Sequence, residues 1–149
     1  MIRRRPPTDS MTRSGFAACC LLAACSQTEP GVPVEYAKAC AVENEKKIVA
    51  VSGFLSPGVT VFCSNHGGRM ECSYTFAETA DAKKGFSAEI ERGSGANTVD
   101  KLKSGYRRED VKIRDNAGNV INLAEKVKLT GKMNVAPNVC FLQVTKIER

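Results

Sequence analysis

The 149-residue chain has no tryptophan, one histidine, three tyrosines and six phenylalanines. Base stacking needs exposed aromatic rings. Phe54, Phe62, Tyr74 and Phe76 sit at positions that read as core, so nucleic acid is not an expected partner. No stretch reaches the roughly 18–20 apolar residues of a membrane-spanning helix. No Walker loop, dinucleotide fingerprint, nucleophile elbow or HExxH helix is present. That removes the common sequence grounds for an enzyme and leaves no expected cofactor. The length suits one domain rather than two.

What is there begins with an apolar run, residues 15–24 (GFAACCLLAA), after an arginine-bearing start. It is the size of a signal-peptide core and too short for a bilayer span. It ends at Leu22-Ala23-Ala24-Cys25 and gives way to polar Ser26-Gln27-Thr28-Glu29-Pro30. This junction resembles the lipobox of bacterial lipoproteins: a branched aliphatic residue, two small residues, then a cysteine that is acylated. The resemblance implies a diacylglycerol thioether on Cys25 and loss of residues 1–24, with Met1 or Met11 as the start. Serine after the cysteine is similar to lipoproteins passed on to the outer membrane, which implies a periplasmic site there. Residues 25–33 then read as lipidated N-terminus and tether, and residues 34–149 as a single domain.

Charge changes meaning with that division. The whole chain carries +6, but Arg3, Arg4, Arg5, Arg13 and Asp9 precede Cys25. The remainder holds 18 basic and 15 acidic residues, a net +3. A polyanion partner inferred from the full charge is inferred partly from the leader.

Seven cysteines become four once Cys19, Cys20 and Cys25 are set aside. Cys40, Cys63, Cys72 and Cys140 in an exported domain read as two disulfides, with three possible connectivities. The stretch 59–76 narrows the choice. Gly67-Gly68 suits a two-residue hairpin turn. Folded there, His66 faces Arg69, Asn65 faces Met70, Ser64 faces Glu71 and Cys63 faces Cys72. The last is a non-hydrogen-bonded pair, where side chains come closest. Val59, Val61, Cys63, Met70, Cys72, Tyr74 and Phe76 then share one face, with Thr60, Ser64, Glu71, Ser73 and Thr75 on the other together with Phe62. Extending the same register pairs Val61 with Tyr74, Thr60 with Thr75 and Val59 with Phe76. Cys63–Cys72 is therefore expected, and Cys40–Cys140 by remainder.

Composition predicts a short helix over 34–44. A strand over 47–55 is apolar on both faces and is expected to be buried on both sides. Clean alternation predicts a strand over 86–91. A short helix is expected between Asn97 or Thr98 and Gly105. A second hairpin over 111–123 should turn at Asn116-Ala117-Gly118, with Ile113 facing Ile121 and Val111 facing Leu123. Strands follow over 127–133 and 140–147, joined through Pro137-Asn138. The expected fold class is mainly β with one or two short helices: a small OB-like barrel or barrel-like sandwich with two disulfides. Ile113-Arg114-Asp115 with Gly118, then Val127-Lys128-Leu129-Thr130-Gly131-Lys132 and the strand to Ile147, is similar to the ending of an OB-fold barrel. Residues 47–54 resemble that family's first strand. On this resemblance residues 56–108 are an insertion.

Candidate sites are few. Cys63, His66 and Cys72, with Met70, are soft ligands for a metal. Their spacing matches no standard zinc pattern, and His66 and Met70 point to opposite faces of the hairpin. His66 has no serine–acid partner identifiable from spacing. Glu89 and Glu91 share a strand face, which reads as solvated surface. Lys101, Lys103, Arg107, Arg108, Lys112 and Arg114, with Tyr106 among them, read as solvated surface or a contact for acidic envelope polymers. No metal site is expected. The expected role is binding or envelope assembly, with an envelope protein or polymer as partner. One alternative is an envelope enzyme, or an enzyme inhibitor acting through residues 66–69. Another is a small-ligand or oligonucleotide-binding OB module.

Overall fold

Gly67 and Gly68 both take positive φ, 59° and 86°, and turn the chain between β3 (Cys63–His66) and β4 (Arg69–Ala77). The register is the expected one, from His66 against Arg69 to Cys63 against Cys72. The Cys63 and Cys72 Cα atoms are 4.0 Å apart and their sulfurs are bonded. The structure is a computed structural model describing residues 29–58 and 60–149; Cys25 and the leader lie outside the described residues.

Five strands close a ring. β2 (Ile48–Ser56) pairs antiparallel with β6 (Val127–Ala136), and β6 with β7 (Val139–Glu148). β7 runs parallel to β5 (Phe86–Glu91), β5 pairs antiparallel with β4, and β4 returns to β2. This is a small OB-like barrel, closed so that the ring strands are paired on both sides. A two-residue β1 (Val32–Pro33) lies parallel to β2 on the flank that β4 does not reach. Alternate residues point inward and fill the barrel: Val49, Val51, Leu55, Tyr74, Phe76, Ala88, Ile90, Leu129, Met133, Leu142 and Ile147 are all buried.

Ring closure corrects several expectations. The hairpin does not extend to Thr60–Thr75 and Val61–Tyr74. β2 takes that edge of β4, setting Ser56 against Thr75, Leu55 against Phe76 and Phe54 against Ala77. Val59, expected opposite Phe76, lies outside the described residues. Closure buries Leu55 and Phe76 together, which a longer exposed hairpin would not. β4 and β5 are thus staves of the barrel, and residues 56–108 are not an insertion. β2 is buried on one face only, because a barrel stave has one inner face; Ser52 is exposed, and Ile48, Ala50 and Phe54 are half-buried. At Gly53 the strand changes neighbours from β6 to β4, and a Cβ there would lie 2.5 Å from the Ala77 carbonyl oxygen.

Both expected helices are absent. Residues 34–44 make two 3₁₀ turns, Tyr36–Lys38 and Val42–Asn44, separated by Ala41 with extended ψ of 142°. The Asn44 side chain donates to the Lys38 and Ala39 carbonyls, which a continuous helix would have used for its own backbone. This segment closes one end of the barrel. Tyr36 stacks on Phe86 at 5.3 Å, its hydroxyl donates to the Phe76 carbonyl at 2.8 Å, and the Cys40–Cys140 bridge ties the segment to β7. The 97–105 stretch is extended: Val99 bridges to Arg92 and Ile113, and Asn97 has positive φ.

The 92–126 segment closes the other end with buried Val99, Val111, Ile113 and Ile121. Its turn is the expected one at Asp115–Gly118, with Gly118 at φ 82°. Ile113 and Ile121 meet through a backbone hydrogen bond of 2.9 Å. Only the Arg114–Val120 bridge is ladder-like, because Val111 and Leu123 pack on the barrel end rather than pairing with each other.

The last residues of the stretch expected as tether, 25–33, belong to the barrel wall, and residues 25–28 lie outside the described residues. Val32 and Pro33 pair with Val49 and Ala50, and a Cβ on Gly31 would strike the Val49 backbone at 2.7 Å. The chain is therefore fixed to the barrel wall from Gly31 onward.

Candidate functional site

The inside of the barrel is occupied by its own side chains, so sites must be sought on its outside and ends. The widest groove, about 810 Å³, flanks β1 between Tyr36, Ser52, Lys128 and Glu78. Its charges are largely matched internally. Glu148 is bonded to Lys128 at 2.9 Å and to Lys146 at 3.0 Å. Those two ammonium groups hold the Glu148 carboxyl below its ordinary range. The remaining charges that line it, Glu29, Glu78 and Lys126, are of mixed sign and present no single field to an ionic ligand.

The hairpin end differs. Two adjoining grooves, about 260 and 350 Å³, share Arg92 and Asp100 and form one trough. Arg92 lies just past the end of β5, Val61 and the Cys63–Cys72 bridge come from the hairpin, and residues 100–106 supply the opposite wall. The floor is apolar, built from half-buried Val61, Leu102 and Tyr106 that pack on the core. The rim carries Arg92, Lys101, Lys103 and Arg114. Arg114 is committed: its guanidinium meets both oxygens of Asp100 at 3.2 Å. That fork neutralises the one carboxylate of the trough. Arg92, Lys101 and Lys103 form no side-chain hydrogen bond or ion pair among the described residues. Sequence alone marked Lys101, Lys103 and Arg114 as part of a basic stretch. Arg92 was missed, since its place beside them depends on how β5 ends.

Near the trough, the phenol of Tyr74 is fully buried on the inner face of β4, two residues beyond Cys72. Its hydroxyl has no hydrogen-bond partner among the described residues. Burial and the nearby Tyr106 raise its pKa, so it stays a neutral phenol.

The hairpin residues lie as follows. Cys63 and Cys72 are consumed by their disulfide, and His66 Nε2 sits 2.8 Å from Ser64 Oγ. That contact joins positions i and i+2 on one face of an exposed edge strand, which sequence spacing did not single out as chemistry. Neither residue lines the grooves above, and among the described residues no third group is bonded to the imidazole. Among the described residues no three His, Cys, Asp or Glu side chains gather as metal ligands. Phe62, expected in the core, is 73% exposed: its carbonyl still accepts the Ser73 N–H at 2.8 Å, and strand alternation turns its side chain to the face away from the Cys72, Tyr74 and Phe76 side. Glu71, expected on the solvated face with Ser73 and Thr75, is buried and accepts from Gln143 Nε2 at 2.8 Å. Glu89 accepts from Ser73 and Ser87, a local polar network rather than half of a carboxylate pair with Glu91. Glu91 instead lies 3.7 Å from Arg69. Among the other basic residues, Arg107 pairs with Glu109, and Arg108 donates to Ser56.

No protein-family model, curated protein or solved structure matches this chain. The reading of the site therefore rests on its own geometry.

Proposed function

We propose that this chain is a lipid-anchored envelope protein whose OB-like barrel acts as a binding module. On this reading acyl chains on Cys25 hold it at the periplasmic face of the outer membrane. The observation that carries the proposal is the partition of the cysteines. All four in the domain are taken up in two bridges, Cys40–Cys140 and Cys63–Cys72. Paired cysteines suit an exported domain, and Cys25 is the cysteine after the leader that these bridges do not use. Binding is favoured over catalysis because Ser64 and His66 meet on an open strand, whereas the trough presents unmatched cations. The stapled, exposed hairpin favours a second reading, an inhibitor that presents residues 66–69 to an envelope enzyme.

The test is intact mass of the protein purified from membranes, with and without reduction. The expected product begins at Cys25, carries acyl mass and exposes four thiols only after reduction. An unprocessed chain with seven free thiols would overturn the proposal. In parallel, Cys25→Ser should move the protein out of the membrane fraction, since each buried methylene contributes about 0.8 kcal/mol to anchoring.

A further inference from the structure

We propose that the trough between the hairpin root and residues 100–106 binds a sugar-sized ring bearing an oxyanion, phosphate or carboxylate. The inference rests on the domain being a binding module, but not on the lipid at Cys25.

Charge supplies the first argument. Arg92, Lys101 and Lys103 converge on one trough whose only carboxylate, Asp100, is already forked by Arg114. Arg107 and Arg69 are matched locally, by Glu109 and Glu91, and single lysines such as Lys47 and Lys132 stand unpaired elsewhere among the described residues; the trough gathers three unpaired cations together. Three like charges without a counter-ion repel one another, and an incoming oxyanion relieves that repulsion while accepting charge-assisted hydrogen bonds.

Shape supplies the second. The floor of Val61, Leu102, Tyr106 and the disulfide is apolar, and such a floor suits the carbon side of a sugar. A bare inorganic ion would leave that floor wet. A trough of about 260 and 350 Å³ suits one ring rather than an extended acidic peptide, and on its strand side the backbone donors are already used. Arg92 N donates to Met70, Gly93 N to Val99 and Asp100 N to Lys112. Ring-plus-charge is the chemistry that uses both the floor and the rim.

The site differs from the outer face of β4 and β5, which carries Glu71, Glu89 and Glu91 and would repel the same ligand.

The experiment is titration calorimetry on the full mature protein in a neutral detergent. The probes are glucose 1-phosphate and glucuronic acid, with glucose, inorganic phosphate and tetraglutamate as comparisons. Saturable binding of one or both charged sugars is expected, weakening with added salt. Which of the two binds identifies a phosphate-bearing or a carboxylate-bearing source. Lys101→Gln with Lys103→Gln, both on the surface and safe for folding, should weaken it by about tenfold or more. Arg92→Gln should weaken it further. Absence of saturable binding by either charged sugar would overturn the proposal. So would equal binding of glucose, phosphate or tetraglutamate, or affinity unchanged in the double lysine variant. A failure here would leave the intact-mass result at Cys25 unaffected, so it is distinguishable from failure of the anchor.

Discussion

The Asp115 carboxylate receives the Arg149 guanidinium Nε at 2.9 Å, so the turn within the second closing segment is held to Arg149, just past the end of β7. The other oxygen of Asp115 accepts the backbone N–H groups of Ala117 and Asn119, both at 2.9 Å. One side chain thus shapes the turn and fastens it to the end of β7.

This arrangement predicts acid sensitivity. Burial alone would raise the Asp115 pKa, but the two backbone donors and Arg149 outweigh it and hold the group below its ordinary value. Glu148 is lowered by Lys128 and Lys146, and Glu45 by the Val135 N–H and Lys46. A carboxylate with a depressed folded pKa stabilises the fold above its unfolded value and loses that contribution as pH falls through the folded one. The urea midpoint should therefore be flat near neutrality and fall below about pH 4. Asp115→Asn should lower the midpoint at neutral pH and flatten the acid decline. An acid decline as steep as in the parent would refute this role for Asp115.

The two bridges should differ in what they hold. Cys40–Cys140 spans 100 residues and Cys63–Cys72 spans nine. On the chain-entropy account, paired serine substitutions should cost about 4–5 kcal/mol at the first and about 2–3 kcal/mol at the second. Hydrogen exchange should separate them further. Loss of Cys63–Cys72 should free β3 while leaving β6 and β7 protected. Uniform loss of protection in both variants would show that the short bridge supports the whole barrel.

Tyr74 is a place where removing an atom should help. Its hydroxyl is buried without a hydrogen-bond partner among the described residues. Tyr74→Phe keeps the ring that fills the barrel and removes a group whose desolvation costs about 1–3 kcal/mol. The thermal midpoint should hold or rise. A clear fall would mean that the hydroxyl is satisfied in solution.

Gly131 is a place where adding an atom should harm. A Cβ there would lie 2.1 Å from the Gln143 carbonyl oxygen, at the register shift between β6 and β7. Gly131→Ala should destabilise by at least about 1–3 kcal/mol, the range for overpacking, because backbone rather than a flexible side chain must yield. Gly95→Ala, with open space around its Cβ, is the comparison and should fall within about 0.5 kcal/mol of the parent.

Sequence reading reached furthest where one short stretch carried its own constraints. Gly67-Gly68, the Cys63–Cys72 pair and the alternation around them agree on a single register, and that register is present. The Asp115–Gly118 turn was legible for the same reason. Reading failed where helical composition met a tertiary demand: residues 34–44 bend into two turns to seat Tyr36 on Phe86 and bring Cys40 to Cys140. At the candidate site the lysines were visible as a charge run. Arg92 and the pairing of Asp100 with Arg114 were not.

The amino-acid order by itself determined the turns, the strand faces, the even set of domain cysteines and the mainly β class. Each follows from neighbours within a few residues, through the two-residue strand period and the conformational freedom of glycine. Tertiary structure alone decided which strand claims the far half of β4. Residues 59–62 and β2 both had the alternation to pair there. β2 holds that edge because closing the barrel buries Leu55 against Phe76 and pairs both edges of the ring strands, a gain no local stretch can register. From that choice follows the end of the hairpin ladder short of Thr60 and Thr75.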